Sequence, residues 1–398
     1  MSIRVVLVTE SFLPSLNGVT NSVLRVLDTY RQRGIEALII APTAPSPRYL
    51  GFEVIRTASF PVKQFNVAVP GLWLQNAIAD FKPDVVHVAS PFMLGGQAIA
   101  AAERLGIPSV AIYQTELSGY MERYNLAAAK PLLDKAVATI HAPATLNLAP
   151  TKQTANYLRG LGINSVDVWG RGVDLDLFHP NRRTEDATQA LRQKWAPNGE
   201  PIVGYVGRLA AEKQVERFAE LFELAAASKG GSDTGTKYVI VGEGPERARL
   251  EREFAMHPAN RGNNSVIFTG KLTGLDLAAA YAAFDVFVHF GTEETFGQTI
   301  QEAQATGLPL VAPNSGGPMF LVEHGETGYL AHPTKHKGFN GLVADLLGDH
   351  TLRARIGENA RRSVLKKSWE ANNAVLLEHY SRAIEMKARA NSAMFELV

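Results

Sequence analysis

Glu293-Glu294-Thr295-Phe296-Gly297-Gln298-Thr299-Ile300-Gln301-Glu302-Ala303 follows the apolar run Val286–His289. A buried strand, a short loop carrying glycine and a helix start make the βα junction of a doubly wound sheet, where ligands gather at the strand ends. Were the whole stretch helical, Glu294 and Glu302 would stand about 12 Å apart along its axis. Glycosidase carboxylate pairs act at roughly 5 to 9.5 Å across one bond, which fits this spacing poorly. It suits two hydroxyl-rich parts of one elongated ligand, with the Phe296 and Gly297 amides offered to a phosphate between them. Chance acidic residues beside a helix start are the plain alternative.

Outward from this junction the same grammar repeats. Ile202–Val206, Lys237–Val241, Ser265–Phe268 and Leu308–Ala312 read as buried strands, and a helix is expected from about Lys213 to Ala227. The first half opens likewise, with strands at Ile3–Val8, Ala37–Ala41, Val85–Val88 and Ser109–Tyr113. Between the first two lies a helix with Val23, Val26, Leu27 and Tyr30 on one face, ended by Gly34. The fold class is therefore α/β, as two Rossmann-like domains facing across a cleft. Trp169–Pro180 and Pro197–Pro201 bracket the junction. The divisions expected are 1–175 for an N-terminal domain and 176–375 for a C-terminal one. A last helix, 376–398 with its periodic start near Glu370, fits either domain and is assigned to the N-terminal one.

Three further segments bear on chemistry. Thr9–Gly18 (TESFLPSLNG) joins a strand to a helix, and Gly18 lets a diphosphate approach free backbone amides, although a plain turn explains it as well. Gly204–Leu209 leads to Glu212-Lys213 and places Arg208 and Lys213 near a strand end, where two cations suit a pyrophosphate leaving group. Solvated surface charge is the bland reading. The loops Val241–Pro245, Thr269–Leu272 and Asn314–Gly317 each follow a strand and expose backbone.

Other classes are disfavoured. The formal net charge of +1 implies no nucleic-acid partner. The chain has no cysteine, so disulfides, thiolate metal sites and cysteine nucleophiles are excluded. The dinucleotide G-x-G-x-x-G turn and the P-loop are missing. Asp174-Leu175-Asp176 matches a D-x-D metal pattern but falls in the domain junction, and no metal or other cofactor is expected. His87, His141 and His289 lie on or near apolar strands and read as satisfied core or rim histidines. No apolar run approaches the roughly 18 to 20 residues of a membrane span, so a cytoplasmic protein is expected, peripheral at most.

Taken together, the Gly18 loop, GRLAAEK (Gly207–Lys213), VGEGP (Val241–Pro245), TGKL (Thr269–Leu272), EETFGQTIQEA and SGGP (Ser315–Pro318) resemble the family-4 retaining glycosyltransferases of the GT-B fold. The resemblance runs over nearly the whole chain. It implies that Glu294 contacts the transferred sugar, Glu302 holds the ribose hydroxyls, and Arg208 and Lys213 bind the diphosphate. Arg208, Lys213 and Glu294 are then the catalytic candidates. Gly18, Gly244, Lys271, Leu272, Phe296, Gly297, Gln298, Thr299 and Glu302 are the donor-binding candidates, with the Leu272 backbone meeting the base.

AIYQTELSGY (Ala111–Tyr120) and WGRGVDLDLFHP (Trp169–Pro180) look like the lipid-glycosylating branch, which includes GDP-mannose-dependent mannosyltransferases acting on glucuronosyl diacylglycerol and the sulfoquinovosyltransferases. The resemblance implies GDP-mannose as donor and a glycolipid acceptor, with Asn17, Gln114, Tyr120 and Arg171 on the acceptor side. A UDP-sugar-dependent transferase is the alternative donor reading. Apolar Phe65–Leu74 with Trp73, together with Arg123, Lys130 and Lys135, suits docking on an anionic membrane surface, and equally suits buried core plus solvated charge. Three positions depart from the pattern. Gln114 replaces a frequent histidine, Asn17 replaces the first glycine of a common pair, and Gln214 stands where glycine or asparagine is frequent.

Overall fold

The computed structural model describes residues 3–15, 17–62, 65–68, 71, 73–89, 91–114, 130–227, 235–258, 265–294, 296–332 and 336–395. The chain divides into two compact units. One is Met1–Gly172 together with Trp369–Val398, and the other is Val173–Ser368.

The first unit is built on β1 (Arg4–Thr9), β2 (Glu36–Ala41), β3 (Arg48–Tyr49), β4 (Phe52–Arg56), β7 (Val85–Ala89), β8 (Ser109–Ile112), β9 (Leu146–Ala149) and β10 (Val166–Val168). A separate antiparallel ribbon pairs β5 (Ser59–Val62) with β6 (Phe65–Ala68). The main sheet runs β10-β9-β8-β7-β1-β2-β4-β3, parallel except for the β3–β4 edge. Alternation decides which face each side chain covers. Val5 and Leu7 enter one core cluster and Val6 and Val8 the other, so both faces are buried under helices. Helix Gly18–Arg33 lies on the first face and stops at Gly34, whose left-handed φ of 66° sends its amide back to Tyr30 and Arg31 carbonyls.

The second unit repeats the plan with β11 (Ile202–Val206), β12 (Lys237–Val241), β13 (Val266–Gly270), β14 (Val286–Val288), β15 (Leu310–Pro313) and β16 (Tyr329–Ala331). Its order is β13-β12-β11-β14-β15-β16, all parallel. Ile202 and Val206 face one cluster, Val203 and Tyr205 the other. The entry and exit of this unit are tied together, since the Val173 amide bonds the Lys367 carbonyl at 2.9 Å.

Several boundaries differ from the expected ones. The second unit begins at Val173 rather than 176, and the last helix runs from Trp369 to Phe395 and belongs wholly to the first unit. Its Leu376, Tyr380 and Ala383 share the cluster of Val5 and Leu7. The single helix expected over Lys213–Ala227 is instead two short 3₁₀ turns, Ala211–Lys213 and Val215–Arg217, followed by helix Phe218–Ala227. Gln214 between the turns has φ +50°, a left-handed conformation that a right-handed helix cannot run through. Of the apolar stretch Phe65–Leu74, residues 69, 70 and 72 lie outside the described residues. Phe65–Ala68 is strand, Leu74 is fully buried in helix Trp73–Phe81, and Trp73 packs against the core.

Candidate active site

In the second unit the strand order reverses between β11 and β14, which is the switch point where such sheets take ligands. The expected cation and carboxylate segments leave the C-terminal ends of these two strands. Beyond β11 the pairing with β12 continues into the loops. The Gly207 amide bonds the Val241 carbonyl at 3.0 Å, the Leu209 amide the Glu243 carbonyl at 2.9 Å, and the Glu246 amide the Leu209 carbonyl at 3.0 Å. The two loops touch so closely that a Cβ at Gly244 would lie 2.1 Å from the Leu209 oxygen. Arg208 therefore projects from a braced loop. Its side chain is 42% exposed and its Nη1 is 3.9 Å from the Glu212 carboxylate, a loose pairing that leaves the guanidinium reachable by a ligand.

Lys213 closes the 3₁₀ turn Ala211–Lys213. Its Nζ donates to Glu294 Oε2 at 2.5 Å, and both side chains are about four-fifths buried. The structure thus brings these two candidates into direct contact. The left-handed Gln214 supports the approach, donating from Nε2 to the Thr292 hydroxyl at 2.8 Å. On the other side the Gly317 amide bonds the Glu294 carbonyl at 2.6 Å, tying the SGGP loop to the carboxylate's own backbone.

The helix after Glu294 begins only at Gln298 and runs to Ala305, so the wholly helical spacing of Glu294 and Glu302 does not apply. Gly297 caps it with φ 97°, a conformation that keeps a side chain out of the turn. Phe296 is buried in the core and contributes backbone to the site. Gln298 and Thr299 sit half-buried at this helix start, and no acidic residue occupies its first turn, so the positive end of the helix favours an anion. Glu302 lies within the helix and accepts a hydrogen bond from the Tyr281 hydroxyl at 2.8 Å. Lys271, just past β13, is exposed, while Leu272 packs partly against the core.

Two residues emerge beside the carboxylates, Tyr281, which the sequence reading did not single out, and His289, which it read as a satisfied core or rim histidine. Tyr281, on helix Gly274–Ala283, is fully buried, and its phenol is pushed well above its ordinary value by burial and by Glu302. His289, just past β14, is 2% exposed with Nε2 3.9 Å from Glu294 Oε2. Burial pushes this imidazole down to about 4, with Glu294 pulling the other way. His87 and His141 are satisfied as expected, by Tyr380 and Asn147. His289 is not: neither ring nitrogen has a hydrogen-bond partner among the described residues. The sequence signal for both residues is only a polar group on an otherwise apolar element.

The first unit brings together three of its four acceptor-side candidates. Asn17 caps helix Gly18–Arg33, its Oδ1 accepting from the Val19 and Thr20 amides at 3.0 Å, while its Nδ2 donates to Ser11 at 2.7 Å. A Cβ at Gly18 would lie 2.7 Å from Arg171 Nη1, and Arg171 Nη2 donates to Gln114 Oε1 at 3.3 Å. Tyr120 and Arg123 lie outside the described residues. Glu10 was not singled out as a candidate. Its carboxylate receives the Phe92 and Gly95 amides at 3.0 and 2.9 Å, and burial raises its pKa against those bonds.

Asp174 of the D-x-D sequence is spent on a turn, its Oδ1 accepting from the Leu177 amide at 2.9 Å. Among the described residues no group of three histidine or acidic side chains has metal-holding geometry. None of their helices is long and apolar enough to cross a membrane.

Two parallel α/β units with cations and carboxylates at a strand-order reversal define a nucleotide-sugar transferase of the GT-B fold. Residues 16–177 match the family described as Glycosyltransferase Family 4, and residues 187–363 match Glycosyl transferases group 1. A GDP-mannose-dependent alpha-mannosyltransferase of Corynebacterium glutamicum is 41% identical, over 98% of this chain and 92% of its own. A sulfoquinovosyl transferase of Arabidopsis thaliana is 30% identical over 93% of this chain and 71% of its own. Among solved structures, Anabaena HepE in complex with UDP superposes with TM-score 0.76 at 20% identity, covering 96% of this chain and all of its own. The chain belongs to glycosyltransferase family 4.

Proposed function

We propose that the protein transfers mannose from GDP-mannose to a hydroxyl of a glycolipid, glucuronosyl diacylglycerol being the specific candidate, with retention of configuration. The similarity to the C. glutamicum mannosyltransferase, over nearly the full length of both chains, carries the donor reading. The direct Lys213–Glu294 contact at the β11/β14 reversal supports the roles within it. Arg208 and Lys213 stabilise the charge that develops on the leaving diphosphate, and the helix start at Gln298 adds its amides. Glu294 orients the sugar and Glu302 the ribose. Attack comes from the face the leaving group departs from, and a diphosphate oxygen accepts the acceptor's proton. Asn17, Gln114 and Arg171 serve the acceptor side, and no metal or other cofactor is required.

A relative named alpha-monoglucosyldiacylglycerol synthase, of Acholeplasma laidlawii, 26% identical over 96% of this chain, supports a lipid acceptor, and a UDP-sugar is the alternative donor. The membrane-facing surface we assign is Phe92, Met93 and Leu132, which are exposed at the starts of two helices of the first unit. Incubating the purified protein with GDP-mannose or UDP-sugars and with glucuronosyl or glucosyl diacylglycerol, then reading the product anomer by NMR, tests the assignment. An α-mannoside formed from GDP-mannose is expected. Turnover only with a UDP-sugar, or only with water-soluble acceptors, overturns the donor or the acceptor assignment respectively. Liposome cosedimentation tests the surface. Phe92→Ser with Leu132→Ser should release the protein from anionic vesicles, and unchanged binding removes these residues from the contact.

A further inference from the structure

The reaction as proposed leaves one buried polar group at its centre without a task. His289 is 2% exposed, and its ring nitrogens make no hydrogen bond of good geometry among the described residues, the Gly291 backbone being its nearest polar neighbour. A buried polar group so poorly satisfied costs a fold stability, so its place at a ligand site asks for a function. Its Nε2 lies 3.9 Å from Glu294 Oε2, the same oxygen that Lys213 holds at 2.5 Å. The ring is neutral at ordinary pH because burial disfavours its cation. A neutral imidazole carries one N–H, which can be given to the Gly291 backbone or to the Glu294 carboxylate 3.9 Å away.

Lys213 has two calls on its ammonium, Glu294 before the donor arrives and the diphosphate afterwards. We propose that His289 is a positioning residue that takes over the Glu294 carboxylate, donating from Nε2, when Lys213 turns to the diphosphate. The movement needed is small. A separation of 3.9 Å must close to about 2.9 Å, a shift of roughly 1 Å. Gly291 lies between the two side chains' elements, a Cβ there standing 3.2 Å from the Glu212 carbonyl oxygen, 3.4 Å from His289 Nε2 and 3.5 Å from the Lys213 Cα. The chemistry also fits. A neutral donor fixes the carboxylate without bringing a third cation to compete for the leaving group. This inference rests on the roles given to Lys213 and Glu294 above.

His289→Phe keeps the ring's bulk without its donor, and His289→Gln restores a donor. Melting temperature, GDP affinity by calorimetry and steady-state mannosyl transfer are to be measured for both. GDP carries the diphosphate and no sugar, so its affinity should stay within about twofold of wild type. The kcat of His289→Phe should fall on the order of ten- to a hundredfold, His289→Gln should recover most of it, and the loss should not add to that of Glu294→Gln. Equal kcat in both variants, or a loss of GDP affinity in parallel with kcat, overturns the positioning role. A direct readout that does not depend on the sugar is ¹⁵N-histidine NMR. Adding GDP should move the His289 Nε2–H proton downfield as the new hydrogen bond forms, and an unmoved resonance in the GDP complex overturns the exchange of partners. Wild-type protein that binds GDP and shows this shift, yet transfers no mannose, overturns the donor assignment alone.

Discussion

Lys213 shows how much one side chain is asked to do at this site. Its 2.5 Å bond to Glu294 sits in a place about four-fifths buried for both partners, where screening by water is weak. Lys213→Ala removes a cation from the leaving group and leaves Glu294 with one fewer counter-charge. Turnover should fall by roughly 10²- to 10³-fold, the range for losing one preorganised stabilising group. Far-ultraviolet circular dichroism should show the fold intact, and near-normal turnover would remove Lys213 from catalysis. Tyr281 makes a subtler case. Tyr281→Phe deletes one bond to Glu302 in a buried setting, worth about 1 to 1.5 kcal/mol. GDP affinity should weaken about five- to tenfold with kcat largely kept, because Glu302 serves binding rather than the reacting bond. Calorimetry with GDP and with 2′-deoxy-GDP decides it, since the ribose-dependent part of the affinity is what should shrink.

At the scale of elements, the GRL, VGEGP and SGGP loops hold the site by contact of backbone with backbone. Gly244→Ala would place a methyl group 2.1 Å from the Leu209 oxygen, a contact that a rotamer change cannot relieve. The Arg208 loop must move, so donor affinity should fall at least tenfold and the melting temperature should drop, both readable in one thermal-shift titration with GDP. Unchanged affinity would show that the loop contact does not position Arg208. The buried parallel strands are legible in the sequence because both of their faces are covered, which makes Ile202–Val206 and Tyr238–Val241 nearly continuous apolar runs. The chemistry-bearing loops were legible because each follows such a strand. The helix over 213–227 was misread because helical periodicity continues through Gln214 and only the backbone shows its positive φ. Tyr281 and His289 were not assigned roles for a related reason. Their partners Glu302 and Glu294 come from other elements, and the register that joins them is a property of packing, invisible in spacing along the chain.

At the scale of the molecule, the chain leaves its first unit at Gly172 and returns to it at Trp369. The returning helix is bonded into that unit at several points. Trp169 Nε1 donates to the Asn372 carbonyl at 2.9 Å, Asn373 Nδ2 to the Thr29 hydroxyl at 2.8 Å, and the Tyr380 hydroxyl pairs with the Tyr30 hydroxyl and with His87 Nδ1 in the core. A fragment ending at Gly172 would expose the surface that Leu376, Tyr380 and Ala383 cover, whereas Val173–Ser368 contains its own sheet and both of its clusters. The second fragment expressed alone should therefore fold and bind GDP, while the first should be insoluble or molten unless Trp369–Val398 is supplied. The reverse outcome would show that the helix is dispensable. The two units also share a sensitivity to acid. His87 is held down to about 3 and His289 to about 4 by burial, so the folded chain refuses protons that the unfolded chain takes up below about 6.5. Stability should be complete above pH 6.5 and fall as pH drops toward 4, by up to about 1.4 kcal/mol per pH unit for each histidine in that window. His289→Gln should flatten this slope in the isolated Val173–Ser368 fragment, because its other buried groups remain as they were. Urea midpoints at pH 7, 6 and 5 measure it, and an equal slope in the variant would place the sensitivity on other groups.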